Sequence, residues 1–409
     1  MPTPPHRSFV RRRFPAAGLA AFLALGACQQ QAPSAAPARS AGTGSQTRIA
    51  RNLGAELSED AETDRALERS LTRFLDQCDA GAFERDTVKP EHAAQHSFFF
   101  NELIETRASQ RSGFHIDPAV VLKSYSFDGD SYYISLAFHG ERDGERFLRK
   151  IVQVKAVPHD PSSVDGATRS YRFECLFEER TLGLQTTKVD NVTYRHARPL
   201  DNNLTQQFAD FRQGLCQRTN APCPDLTYYA FTSLETLLRA YGIEYDRNKC
   251  NFLAKDLGFG EANGARFVTG MGSECNIRDY VYAHFRHALP NAGQLYPAML
   301  EGLAVCYGNT WGGVTLDQMK TKFGRAQRQD PSWDFLTEHL AARKSHVGPH
   351  YTHFFVCALF CEKLLAEGRF EDALAMLYSG KNGGRFFTEL KAALDVDRED
   401  FHTTVVSML

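Results

Sequence analysis

At 409 residues, 43% of them hydrophobic and 23% charged, the chain is long enough for two or three domains with their own cores. That composition excludes a wholly disordered or fibrous protein. Basic and acidic side chains nearly balance, 47 against 49, and no basic run follows Arg13, which argues against a nucleic-acid partner.

Arg7, Arg11, Arg12 and Arg13 precede a short apolar run over 16–27. The run is too short to span a bilayer and has the form of an export signal. It ends in Leu25-Gly26-Ala27-Cys28, which resembles the bacterial lipobox, where cleavage before the cysteine accompanies attachment of lipid to it. The expected organisation is a lipoprotein signal peptide over 1–27, lipidation at Cys28, and a flexible Gln-, Ala-, Pro- and Ser-rich tether over 28–55. Such a protein is exported, held on a bacterial membrane by its lipid anchor alone, and faces the periplasm. The cysteines after Cys28 suit an oxidising compartment. Cys216 and Cys223 flank a polar, Pro-containing loop and make the expected local disulfide. Cys357 and Cys361, one helical turn apart, read as buried apolar side chains.

Leu67, Leu71, Phe74, Leu75 and Cys78 keep helical spacing and predict a helix over 64–78. A second helix is expected over 96–109, with its Phe98-Phe99-Phe100 run buried. His92 and His96 read as a solvated helix start rather than a metal pair. The period then changes to two over 131–138, 146–157, 171–179 and 181–196, with turn signals between. Asp190-Asn191, inside the last run, reads as a bulge or an edge. Helices followed by long strands imply an α+β fold whose first domain, 56–198, carries a curved antiparallel sheet. The order is compatible with an NTF2-like cone.

Pro199-Leu200-Asp201-Asn202-Asn203 reads as the boundary to a second domain, 204–409. There, 204–212 is expected to be helical and 226–230 to be a strand. Thr232 and Glu235 resemble a capping box for a helix that stops at Gly242. The Gly-rich stretch 258–264 lacks the Lys-Ser/Thr of a phosphate loop and leads into a strand, 265–269, so nucleotide binding is rejected. Asn276 is a suitable N-cap for a helix over 277–288. His284 and His287 share one face of that helix, and another helix is expected over 298–307. Helices over 351–367, 370–377, 385–394 and 398–409 form a closing helical subdomain, and His350 and His353 read as a solvated helix start.

Glu261-Ala262-Asn263-Gly264, the strand after it, the helix with His284, Leu289-Pro290-Asn291, Glu301-Gly302-Leu303-Ala304 and His350-Tyr351-Thr352 together resemble bacterial exported proteins with a peptidase-MA-like (gluzincin) domain. The resemblance implies a mainly helical zinc-metallopeptidase domain. It makes the strand at 265–269 the edge along which peptide lies and Glu301 the third zinc ligand. It also brings Tyr351 forward as a donor to a developing oxyanion. The family's H-E-x-x-H motif falls on Tyr280, Val281 and His284, so the first ligand is replaced by Tyr and the general base by Val. Val cannot accept a proton from a zinc-bound water.

Three functions follow from this departure. The first is a degenerate peptidase domain without metal, acting in peptide or protein binding or scaffolding, with Tyr280 and Tyr282 filling the metal volume around Val281. The second is an active zinc metallopeptidase in which His284, His287 and Glu301 converge on the metal and a base comes from Glu274 or Asp279. The third is a helical exported domain unrelated to peptidases, in which Glu301 lies far from either histidine.

Overall fold

The computed structural model describes residues 49–51, 56–108, 115–116, 119–159, 169–250, 258–261, 264–270, 272–287, 292–308, 314–341 and 352–409. The signal peptide, Cys28, His350 and Tyr351 lie outside the described residues. Strand β1 (Ile49–Arg51) comes first, from the end of the stretch expected to be tether. Helix α1 (Ala61–Ala80) is capped by Asp60, whose carboxylate accepts the Thr63 N–H, and is closed by Gly81 in the left-handed conformation. Helices α2 (Pro90–Gln95) and α3 (Ser97–Ala108) follow. Then come strands β2 (His115–Ile116), β3 (Ala119–Tyr125), β4 (Tyr132–Arg142), β5 (Glu145–His159) and β6 (Ser170–Glu174). Helix α4 (Phe177–Thr181) leads to β7 (Gln185–Val189) and β8 (Val192–His196).

Helix α5 (Asn202–Arg218), β9 (Leu226–Ala230), α6 (Leu234–Ala240), β10 (Ile243–Asp246) and α7 (Arg247–Cys250) continue the chain. Strands β11 (Gly258–Glu261) and β12 (Arg266–Thr269) precede helix α8 (Ile277–His287). The remainder is helical: α9 (Pro297–Tyr307), α10 (Leu316–Gln329), α11 (Phe335–Ala341), α12 (Thr352–Ala366), α13 (Phe370–Leu377), α14 (Phe386–Leu394) and α15 (Phe401–Ser407).

The α+β class expected from the sequence is observed. Seven strands form one sheet, in the order β1-β3-β4-β5-β10, with β2 on β4 and β6 on β5. The second sheet runs β11-β12-β9-β8-β7, with its three central strands parallel and both edge strands antiparallel. One core lies between the first sheet, α1 and α3, around Leu71, Phe74, Phe99 and Val154. The other joins the second sheet to α5, α8, α9 and the C-terminal helices, around Phe208, Phe267, Val281 and Phe360. Strands cross the expected boundary at 199–203 in both directions. β7 and β8 belong to the second sheet, and β10 pairs antiparallel with β5 of the first, Ile243 opposite Val152.

Several local expectations are corrected. The single strand expected over 181–196 is a hairpin: Asp190 turns with φ of 51°, and Gln185 pairs with His196. Asp tolerates that left-handed conformation, and a two-residue turn with this geometry suits a twisted hairpin. Residues expected at the end of the strand 171–179 form α4 instead. The capping box on α6 uses Ser233 and Thr236, not Thr232 and Glu235. His92 and His96 are not a solvated helix start. His96 is fully buried, and His92 accepts the Cys175 backbone N–H at 2.8 Å. Burial, with the charge of Arg266 and the nearby His92, pushes the His96 ring down to about 3.

The strand read as a peptide-binding edge, β12, is internal, because β11 covers one side of it and β9 the other. The Gly-rich stretch supplies that outer strand. A Cβ on Gly260 would sit 2.9 Å from the Ala283 Cβ, so glycine lets β11 lie directly on α8.

Candidate functional site

Helix α8 is where the sequence places the chemistry, and its geometry divides that chemistry between two faces. Asn276 caps it as expected, its side-chain oxygen accepting the Asp279 N–H at 3.2 Å. Arg278 and Tyr282 are one turn apart and share a face. Tyr280 and His284, displaced by two positions and so by about 200° at 3.6 residues per turn, look the other way.

Glu301 faces the Arg278 side. Arg278 donates through Nη2 to Glu301 Oε1 at 2.7 Å and through Nη1 to Asp279 Oδ1 at 2.7 Å. The Tyr282 hydroxyl donates to Glu301 Oε2. Asp279 Oδ2 accepts from Asn276 Nδ2 at 2.9 Å. Arg278, Asp279 and Glu301 are all buried. Burial and the adjoining Glu301 carboxylate push the Tyr282 phenol well up, so it stays a donor. Both oxygens of Glu301 are therefore committed to hydrogen bonds from cationic or phenolic donors, the arrangement that makes a buried carboxylate tolerable.

The opposite face carries Tyr280 and His284, which the peptidase resemblance would assign to a zinc motif. Tyr280 accepts from Arg212 Nε at 3.1 Å. His284 Nε2 is 2.9 Å from the Thr219 hydroxyl. Burial and the Arg212 charge push the His284 ring down to about 4, so it is neutral at pH 7. His287 is exposed, its ring against the Gly260 backbone; partial burial and the Arg286 charge lower it too. Val281 has no exposed surface and belongs to the core. Thus the proposed zinc set does not form. His284 and His287 lie on one side of α8 while Glu301 is held on the other. Among the described residues no three His, Cys, Asp or Glu side chains are grouped to hold a metal ion. Neither acidic candidate base is free for such a role: Asp279 is bound as above, and Glu274 is buried with Arg198 3.4 Å away.

The Glu301-Gly302-Leu303-Ala304 run has a packing explanation of its own. A Cβ on Gly302 would lie 2.7 Å from the Cys357 carbonyl carbon, so glycine allows α9 and α12 to touch backbone to backbone. Leu303 and Ala304 are fully buried beside it. Cys357 and Cys361 are buried, as expected. Cys361 also meets Cys306, a pairing that spacing along one helix did not reveal. Cys216 and Cys223 are adjacent but stand as two thiols; burial and the facing Cys223 push Cys216 up to about 12.

The residue that sequence reading missed is Arg212. It falls on the buried stripe of α5 with Thr205, Phe208, Ala209, Leu215 and Cys216. A cation at a core position of an amphipathic helix was a visible signal. Comparison of the chain with family models, curated proteins and solved structures returns no match.

Proposed function

We propose that this chain is an exported, lipid-anchored, non-hydrolytic binding or scaffolding protein for a peptide or protein ligand. In this reading, residues 204–409 keep a gluzincin-like frame from which the zinc chemistry has been lost, and the preceding sheet is an NTF2-like companion. One observation carries the non-hydrolytic half of the reading: both oxygens of Glu301 are taken by Arg278 and Tyr282 on the face of α8 opposite His284, a separation that a helical domain unrelated to peptidases shares. A carboxylate so held is a structural counter-ion, and Val281 supplies no base. The motif positions serve instead in packing and in a small polar pocket.

The test is metal content and peptide turnover on the same sample. The mature protein is purified without chelator, supplemented with zinc, and analysed for zinc per chain beside a Glu301→Ala control. A peptide library is then incubated with it and followed by mass spectrometry. The expected result is no stoichiometric zinc and no cleavage. About one zinc per chain, lost in Glu301→Ala and accompanied by cleavage, would overturn the proposal. The anchor is checked separately: Cys28→Ala should move the protein from the membrane to the soluble fraction.

A further inference from the structure

Five arginine and lysine side chains are buried among the described residues, and four of them are neutralised. Arg107 pairs with Asp79, Lys150 with Glu102 and Asp246, Arg266 with Glu178 and Glu261, and Arg278 with Asp279 and Glu301. Arg212 is the fifth. It is 2% exposed, yet among the described residues it has no carboxylate partner. Its Nε donates to the Tyr280 hydroxyl and its Nη2 to the Pro224 carbonyl, while Nη1 is buried with no hydrogen-bond partner. An uncompensated guanidinium held out of water is costly unless something negative meets it.

The space beside it can hold such a group. Arg212 and Tyr280 line a half-enclosed cavity of about 200 Å³. Its other walls include Pro222, Leu226, Phe267 and Ala283, which are apolar. The volume is below the roughly 300–1,000 Å³ of drug-sized pockets, so it suits a group about the size of one residue. We propose that this cavity binds a carboxylate carried on a small apolar body. The Arg212 guanidinium donates to one carboxylate oxygen. The Tyr280 hydroxyl, which already accepts from Arg212, has its own hydrogen to donate to the other.

The charge count favours a monoanion. Arg266, also in the wall, has its charge answered by Glu178 and Glu261. His284 is neutral and engaged with Thr219. His287, also in the wall, is lowered by partial burial and the Arg286 charge. Among the described lining residues Arg212 is then the one cation without a carboxylate, and with one phenol it matches a carboxylate; a phosphate dianion calls for several charged donors. The ligand is then a short free carboxylic acid or the C-terminal residue of a peptide. This inference does not depend on the peptidase resemblance, since it uses only the cavity and the unanswered charge.

Calorimetry on the full mature chain tests it, with N-acetyl-leucine as probe and N-acetyl-leucinamide as the uncharged control. The acid should bind, and the amide should bind more weakly by on the order of tenfold or more, since hydrogen bonds to a charged group are lost. Tyr280→Phe should weaken the acid several-fold without moving the thermal unfolding midpoint far, and Arg212→Met should abolish binding. Should Arg212→Met fail to fold, the acid–amide comparison and Tyr280→Phe still decide. Equal binding of acid and amide, no binding of the acid at millimolar concentration, no change in Tyr280→Phe, or equal displacement by sulfate would each overturn the proposal. Among supporting outcomes, tighter binding of Ala-Ala-Leu with a free C-terminus than of N-acetyl-leucine assigns the site to peptide ends. Equal binding of those two assigns it to short free acids.

Discussion

On one face of α8, the cation Arg278 meets two carboxylates, and the Tyr282 phenol is bonded to one of them. On the other face, the cation Arg212 meets a phenol and a carbonyl and, among the described residues, no carboxylate. Both are buried, both belong to helices of the same core, and both use a tyrosine of α8. The difference is electrical closure. The charge of Arg278 is answered within the chain by Asp279 and Glu301, which marks that cluster as structural. The Arg212 cluster lacks one negative charge, which marks it as the place where something from outside would be stabilised.

This contrast can be broken by substitution. Glu301→Ala removes one of the two carboxylates that pair with Arg278 and should lower unfolding free energy by about 3 kcal/mol in urea titration; a loss under about 1 kcal/mol would show that Glu301 is not needed to answer Arg278. A pH effect of comparable size belongs to the other face. His284 is held down to about 4 in the folded protein, below its ordinary value of about 6.5. The unfolded chain therefore takes the proton first. Stability contributed by the neutral ring is complete above about 6.5 and is lost as pH falls towards 4, by about 3 kcal/mol at most. His284→Gln should flatten the stability–pH curve across that window relative to the parent, with His96, His339 and His353 supplying the slope that remains.

The paired tyrosines sharpen the comparison further. Tyr282→Phe strips a donor from a buried carboxylate and should cost about 2 kcal/mol. Tyr280→Phe removes an acceptor that Arg212 can replace with an outside anion and should cost about 1 kcal/mol. The smallest effect is expected for Arg212→Met: replacing an unpaired buried cation with an apolar side chain of similar length should change stability by less than about 1 kcal/mol in either direction. A loss comparable to that of Glu301→Ala would mean that Arg212 is structural after all.

Much of the element pattern was legible in the sequence. The helix around Leu67, Leu71 and Phe74 follows from apolar periodicity, and the strand at 226–230 and helices α8 and α9 stand close to where they were expected. What periodicity could not supply was partnership. The run over 181–196 alternates like one strand, but Asp190 bends it into two. Residues 243–246 are too few to announce themselves, yet they extend the first sheet because β5 offers them an edge. The motif residues show the same limit. Glu301-Gly302-Leu303-Ala304 resembles a ligand-bearing run, while Gly302 is there for the contact with α12.

The sequence by itself determined which residues are apolar at helical or strand spacing, where Asn276 starts α8, and that residues 280–284 read Tyr-Val-Tyr-Ala-His and not H-E-x-x-H. Only the tertiary structure decided which face of α8 each neighbouring helix meets. Spacing along one helix sets the angle between its own side chains. Which charge from another element comes to lie opposite them depends on how the helices pack, so Glu301 answers Arg278 while Arg212 is left beside an open cavity.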